Sequence, residues 1–366
     1  MREYVPSLAG KTVGLVVNHT SIVGSSQTHL VDTLLAQKIK VTKVFAPEHG
    51  FRGMGDAGQE INSETDPKTG LPVISLYGNI KKPTAEHLEG LDVVIFDIQD
   101  VGARFYTYIS TMHYVMEACA EAGIPVIILD RPNPNGFYVD GPILEDSYKS
   151  FVGMHPIPVV HGLTVGELAQ MINGQKWLAN GIQCNITVVP CFGYKHQTMY
   201  QLPVKPSPNL PNMEAIYLYP SLCFFEGTIM SVGRGTDRPF QIFGHPEYAI
   251  GDYEFTPMSI PGAQSPPYKD LQCRGTELQE FGRDYFERSR KLDFQWLLQS
   301  YQYFDNAGKG QEFFNAFFEK LAGTAKLREI IVSGYNTAEA GSFWKPELDA
   351  YMAMRKQYLL YPDFTK

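Results

Sequence analysis

Through the first half of the chain, short β-branched runs alternate with longer segments whose apolar positions recur at helical spacing. Residues 12–17, 40–45, 73–75, 93–97 and 125–129 read as strands. Between them, 29–37 and 110–122 read as amphipathic helices, and Gly123 stands where a helix C-cap favours glycine. Strands alternating with helices signal βαβ units around a parallel sheet. The fold class is therefore α/β, with a Rossmann-like parallel sheet. Polar residues follow the strands in four clusters: Asn18-His19-Thr20, Glu48-His49, Asp97-Ile98-Gln99-Asp100 and Asp130-Arg131-Pro132-Asn133. Ligands of open parallel sheets sit outside the carboxyl ends of the strands, so these clusters are expected to converge on one crevice. Arg104-Phe-Tyr-Thr-Tyr108 follows the third cluster closely, which brings Tyr106 and Tyr108 to the same place.

A strand-end polar residue is often only a cap or a turn former. Thr164 and Glu167 have capping-box spacing and read as structural, while His161 just before them fits a pocket residue and a turn histidine equally well. In the second half, 311–321 and 347–358 read as amphipathic helices. The proline-dense stretch at 206–211 marks a connection, dividing the chain into 1–210 and 211–366.

Composition then excludes whole classes. The 366 residues are 44% hydrophobic and 19% charged, enough for a large core and two domains. A net charge of −8 without any Lys/Arg run argues against a nucleic-acid partner. No apolar stretch approaches the roughly 18–20 residues that span a bilayer. Five scattered cysteines form neither a disulfide scaffold nor a metal pair. The first strand is followed by Asn18-His-Thr-Ser-Ile-Val-Gly24 and not by G-x-G-x-x-G, so the sheet does not imply a dinucleotide. P-loop, G-x-S-x-G and H-E-x-x-H patterns are missing too. No cofactor and no metal are expected, and chemistry falls to the carboxylates and imidazoles at the strand ends. The sequence carries no signal of oligomeric state.

Several ordered motifs now bear on identity: GLVVNHTS, FAPEHGFRG with DAGQ, VFDIQDVGARFYTYIST, DRPNPNG, PIPVVHGLTVGELA, SPNLP, FFEGTIMSVGRGTDRPF and RKQYLLYPDF. Nearly end to end, the chain resembles the exo-β-N-acetylmuramidase family called NamZ. The resemblance implies hydrolysis of terminal N-acetylmuramic acid from the non-reducing end of peptidoglycan fragments, in bacterial cell-wall turnover and recycling. It also implies a Rossmann-like N-terminal catalytic domain, a second, smaller α/β domain and a site in the cleft between them.

Glycosidic cleavage needs a proton for the leaving oxygen and a second group for the oxocarbenium-like centre. Glu48, matching the glutamate of the family's Pro-Glu-His-Gly motif, is the candidate general acid. His49 would orient it or bind a sugar hydroxyl, and Arg52 would anchor the loop or a product; the structural alternative is a turn held by a Glu48–Arg52 pair. Asp97 or Asp100 is favoured as the second group over Asp130 and Glu226, and the sugar's acetamido group is the alternative to any of them. A muramic sugar carries a lactyl carboxylate, for which Arg234, Arg104 and Arg131 are the candidate cations; the structural alternative for each, equally weighted, is an arginine pinned to a neighbouring acid such as Asp237 or Glu226. Asn18, His19, Gln99, Tyr106, Tyr108, Asn133, His161 and Glu226 complete the expected substrate contacts. The competing class is a non-catalytic receptor for cell-wall fragments or amino sugars on the same crevice; another hydrolase or transferase acting on a different amino sugar is a further alternative. Met1 to Gly10 show no apolar signal core, which fits a cytoplasmic protein or a sequence given without its export segment. The substrate's origin outside the cytoplasm leads to the expectation of a periplasmic or secreted protein.

Overall fold

The structure, a computed structural model, describes residues 1–51 and 64–364. β1 (Thr12–Val17) forms the centre of a seven-stranded sheet, and a hairpin of β2 (Ile22–Val23) and β3 (Thr28–His29) leads from it into α1 (Leu30–Ala36). The sheet continues with β4 (Lys40–Ala46), β5 (Glu64–Thr65), β6 (Pro72–Ser75), β7 (Val93–Asp97), β8 (Val126–Leu129) and β9 (Ile186–Val189). Their order is β5-β6-β4-β1-β7-β8-β9, parallel throughout except for β5 at one edge. The five predicted strands match to within a residue at each end. β9 is an additional strand at the other edge, half-exposed and too short to stand out in the sequence.

Side chains alternate across this sheet with the period of two that a pleated strand imposes. Val13, Leu15 and Val17 of β1, with Val93 and Ile95 of β7, pack on Leu30, Val31 and Leu34 of α1. Val16, Val94, Phe96, Val126 and Ile128 point the other way. They meet α3 (Tyr108–Ala122) and α4 (Val165–Gly174), which follow the single-turn α2 (Ala85–Leu88). The connections after β1 and β7 thus leave toward opposite faces, and the strands beside β1 are built on both sides of it. That divergence opens a crevice at the carboxyl ends of β1, β4 and β7. Gly123 ends α3 in the left-handed conformation, φ 69°, and Thr164 with Glu167 forms the capping box that starts α4.

The second half begins with α5 (Met213–Leu222) and adds a three-stranded antiparallel sheet, β10 (Ile242–His245), β11 (Tyr253–Phe255) and β12 (Cys273–Glu277), with β12 central. Segment 311–321 is not one helix. It splits into Gly310–Phe313 and Phe318–Ala322 because the chain between them is extended, bridging Phe314 to Thr228. Gly227 lies so close to Phe318 that a β-carbon there would approach its Cα to 2.4 Å. Segment 347–358 is helical as Lys345–Arg355 and then tightens into a 3-10 turn, Lys356–Tyr358. Phe224, Phe225, Phe313, Phe318, Ile330 and Tyr351 belong to the same continuous core as Phe96 and Ile128. The two halves are welded by apolar packing.

Buried polar groups reinforce that weld. The guanidinium of Arg104, fully buried, donates to the carbonyls of Pro142 and Ile157 and to those of Leu321 and Ala322, at 2.6–2.9 Å. The chain's end straps back over α4. Leu360 N–H donates to Glu167, the Tyr361 hydroxyl donates to Asp130, and Asp363 pairs with buried Arg355, whose Nε and Nη2 also donate to the Gly162 carbonyl. Asp130 additionally accepts from the Thr164 hydroxyl and Gly166 N–H. It is therefore a structural junction, not a group free for the crevice.

Two stability predictions follow from these buried groups. Arg104→Met removes the donor from four buried carbonyls and should cost about 3 kcal/mol or more in denaturant unfolding. Burial pushes the Asp130 carboxyl up to about 6, against its hydrogen bonds from Tyr361, Thr164 and Gly166. An acid whose folded pKa lies above its unfolded value binds more protons in the folded state, so its contribution falls as pH rises from about 4 to 6. Relative to wild type, Asp130→Asn should gain stability over that interval by on the order of 1–2 kcal/mol. Urea unfolding at pH 4 and pH 7 measures the difference, and an unchanged difference would refute the linkage.

Candidate active site

β4 is followed by Pro47, and the chain then turns through Glu48, His49 and Gly50. His49 and Gly50 are both left-handed, with φ 69° and 76°. That conformation costs a non-glycine residue roughly 1–2 kcal/mol and is tolerated where the surroundings fix it. Its effect is to leave Glu48 half-buried at the head of the strand, with His49 buried beside it.

Two hydroxyls hold the Glu48 carboxylate. Thr107 donates from Oγ1 at 2.7 Å, and the Tyr77 phenol, just beyond β6, supplies the second. Thr107 occupies the N-cap position of α3, yet its hydroxyl makes no cap hydrogen bond. The group that would ordinarily cap the helix is turned to the acid instead. Burial and the neighbouring Glu48 carboxylate both raise the Tyr77 pKa, so the phenol stays protonated and remains a donor.

Around Glu48 the walls are aromatic. Tyr106 and Tyr108 meet edge to face with centroids 4.8 Å apart, Tyr106 meets Tyr219 at 6.0 Å, and Tyr219 meets Phe240 at 4.9 Å. Ser207, Asn209 and Leu210 of the proline-rich connection close another side. These residues, with His49, Phe105, Thr107 and Arg234, enclose about 60 Å³. Arg234 lies over the Phe240 ring at 5.0 Å and donates through Nε to Glu226 at 2.6 Å. Burial works against its charge, and the Glu226 carboxylate more than offsets this, holding the guanidinium pKa above its ordinary value. The two Nη groups make no hydrogen bond among the described residues, so the flat edge of the fork is left to a ligand.

The structure brings together Glu48, His49, Tyr106, Tyr108 and Arg234, with Glu226 behind Arg234. It withholds others from the cleft. Asp97 is buried and paired with Arg131 at 2.6 Å, which occupies the acid and the cation at once. Asp100 is buried beneath the cleft, accepting from Gly102 N–H at 2.6 Å with His161 Nε2 at 3.6 Å from the same oxygen. Arg104 is consumed by carbonyls, as described above. Gln99 donates its amide to the carbonyls of Asp100 and Pro132. Asn133 donates to Leu163 and fills the space over Gly102, where a β-carbon would come within 2.2 Å of its Oδ1. Asn18 is fully buried and accepts from Thr20 N–H and hydroxyl. His19 bonds the Lys205 carbonyl through Nε2, and burial lowers its pKa. These side chains build the floor on which the cleft residues stand. Arg52 lies outside the described residues.

Sequence reasoning missed Tyr77, Thr107, Tyr219 and Phe240. Thr107 carried a signal, since it sits between Tyr106 and Tyr108 in a segment already aimed at the crevice. Tyr77 follows a strand as the four polar clusters do, but a single aromatic residue there resembles ordinary core. Tyr219 and Phe240 look like core residues at any spacing.

The chain matches the family description "Exo-beta-N-acetylmuramidase NamZ, N-terminal" over residues 13–214 and "Exo-beta-N-acetylmuramidase NamZ, C-terminal" over residues 217–361. It is 41% identical over 382 aligned positions to the peptidoglycan beta-N-acetylmuramidase NamZ of Bacillus subtilis (strain 168), covering 98% of this chain and 89% of that protein. A DUF1343 family protein of Bacteroides fragilis NCTC 9343 superposes with a TM-score of 0.90 at 48% identity, covering 99% of this chain and 97% of the other. A second protein of that description from the same organism gives 0.83 at 29% identity, covering 98% and 96%. With both domain descriptions matched in order and a relative of known activity aligned almost end to end, the chain belongs to the exo-β-N-acetylmuramidase NamZ family.

Proposed function

We propose that this protein is an exo-acting β-N-acetylmuramidase that releases terminal N-acetylmuramic acid from the non-reducing end of peptidoglycan fragments. Family membership and the activity of the Bacillus relative support the reaction class. The observation that carries the proposal into this chain is a carboxyl group held by two hydroxyls on the wall of a cleft whose lining also presents a guanidinium edge.

In this reading Glu48 gives its proton to the glycosidic oxygen as the bond to C1 lengthens, and the shortened saccharide leaves as an alcohol. Thr107 and Tyr77 fix the carboxyl oxygens so that little reorganisation is needed as charge develops. Arg234 receives the lactyl carboxylate, a fork matched to two oxygens. Water then adds to C1, completing hydrolysis. A receptor that binds the same sugar without turnover is the alternative, and no observation here favours it.

A muramic acid glycoside of a chromogenic alcohol, assayed beside the glucosamine analogue that lacks the lactyl group, tests the function. Release from the first and little from the second is expected; binding without release, or preference for the second, would overturn the assignment. Glu48→Gln keeps shape and hydrogen bonding but removes the proton, so turnover of a substrate with a poor leaving group should fall about 10²–10⁴-fold at unchanged melting temperature. A substrate with an acidic leaving alcohol should lose much less. Retained activity on the poor leaving group would remove Glu48 from the role of acid. Arg234→Lys keeps charge but loses the fork and should raise KM for the muramic substrate by roughly tenfold. The glucosamine analogue should be unaffected, and an equal effect on both would assign Arg234 to structure alone.

A further inference from the structure

A second, larger cavity of about 440 Å³ is lined in part by the same chain segment, 202–211, that lines the cleft, and it takes no part in the chemistry above. Ser207, Asn209 and Leu210 line the cleft, while Leu202 to Lys205 and Pro211 line the cavity. Helix α5 also contributes to both, with Tyr219 in the cleft and Ile216, one turn earlier, in the cavity. Residues three apart on a helix lie on one face with a rise of about 5 Å between them, which is close to the advance per sugar ring in an extended saccharide.

Exposed Pro203 and half-buried Pro211 and Met213 give apolar surface on which a sugar ring could lie, with buried Ile216 and Tyr217 packed behind them. Arg283 and Lys205 are exposed cations on the same lining, with Glu214 the one acidic residue among those lining it. Arg283, Glu214 and Glu287 all lie near enough to the Tyr217 phenol for their charges to act on it. Its volume lies in the range of about 300–1,000 Å³ usual for ligand pockets.

We propose that this cavity is a subsite on the leaving-group side, which holds the second disaccharide of the fragment and recognises the carboxylate on its muramic unit through Arg283. The proposal rests on the muramidase reading and adds that the enzyme measures the saccharide beyond the scissile bond. The bound chain would leave the cleft over the 207–211 wall, with a glucosamine ring crossing it. The next muramic ring then enters the cavity, and its carboxylate, either the free lactyl group or one carried on a stem peptide, meets the guanidinium.

Three substrates separate the possibilities: the chromogenic muramic glycoside, a two-ring fragment ending in N-acetylglucosamine, and four-ring fragments with and without stem peptides. Arg283 begins a surface helix, so Arg283→Ala should fold as wild type does. The variant is expected to raise KM for a four-ring fragment about tenfold, the loss of one charge-assisted contact. It should leave kcat unchanged and both shorter substrates unaffected, and Arg283→Lys should restore part of the difference. Whether the effect appears with the peptide-free or the peptide-bearing fragment tells which carboxylate is read. A wild-type enzyme with no preference for four rings over two, or an Arg283→Ala variant that treats all substrates alike, overturns the subsite and leaves the muramidase reading intact. If the chromogenic glycoside is not cleaved, the muramidase reading fails. Calorimetric binding of the four-ring fragment by wild type and Arg283→Ala then still decides the cavity, and equal affinities would dismiss it.

Discussion

Arg104 must be satisfied where it stands, because it is buried completely and its charge has no access to water. The four acceptors of its Nη groups are main-chain carbonyls, two from the first half of the chain and two from the second. An unpaired buried guanidinium would be severely destabilising, so those carbonyls must stay in register with it. The residues just after Arg104 are Phe105, Tyr106, Thr107 and Tyr108, which form one wall of the cleft. Fixing the guanidinium therefore fixes the segment that presents two phenols and the hydroxyl on Glu48. The same four bonds join the halves of the molecule and set the position of the catalytic wall.

The acid's own geometry depends on a second constraint, in the backbone. Glu48 leaves β4 into two successive left-handed residues, one of them His49. A chain free to relax would not keep a histidine there. It persists because β4 lies between β1 and β6 in the sheet and because Thr107 and Tyr77 claim the carboxylate from two other elements. Strain at one residue is thus held by hydrogen bonds from α3 and from the chain after β6.

The sheet was legible because its strands are apolar runs closed by polar clusters, and the place of the crevice followed from those clusters. Which of the clustered side chains faces the crevice was not legible. Arg104, Arg131 and Arg234 look equivalent in the sequence, and only tertiary packing assigns Arg104 to carbonyls, Arg131 to Asp97 and the open edge of Arg234 to the cleft. Asp97, at a strand end deep in the sheet, is taken by the neighbouring Arg131, whereas Asp100 accepts from Gly102 N–H through one oxygen and keeps its buried Oδ1 without a hydrogen-bond partner among the described residues. Thr164 and Glu167 were read correctly because a capping box is a local contract, settled within four residues. The broken helix around Phe314 was misread because its cause, the contact of Gly227 with Phe318, spans about ninety residues of chain.

One continuous core under both walls has a consequence for how the cleft works. Two domains joined by a linker would be free to open and close on a substrate, with binding energy spent on closure. Here Phe224, Phe318 and Tyr351 pack in the same core as the central strands, and the C-terminal strap clamps α4 through Asp130, Glu167 and Arg355. Moving one wall against the other would expose that core and break these bonds together. The described walls are accordingly preorganised, so under the proposed function discrimination between a muramic and a glucosamine terminus would rest on the fixed edge of Arg234 and on the shape of the aromatic enclosure, with little contribution from motion of the walls.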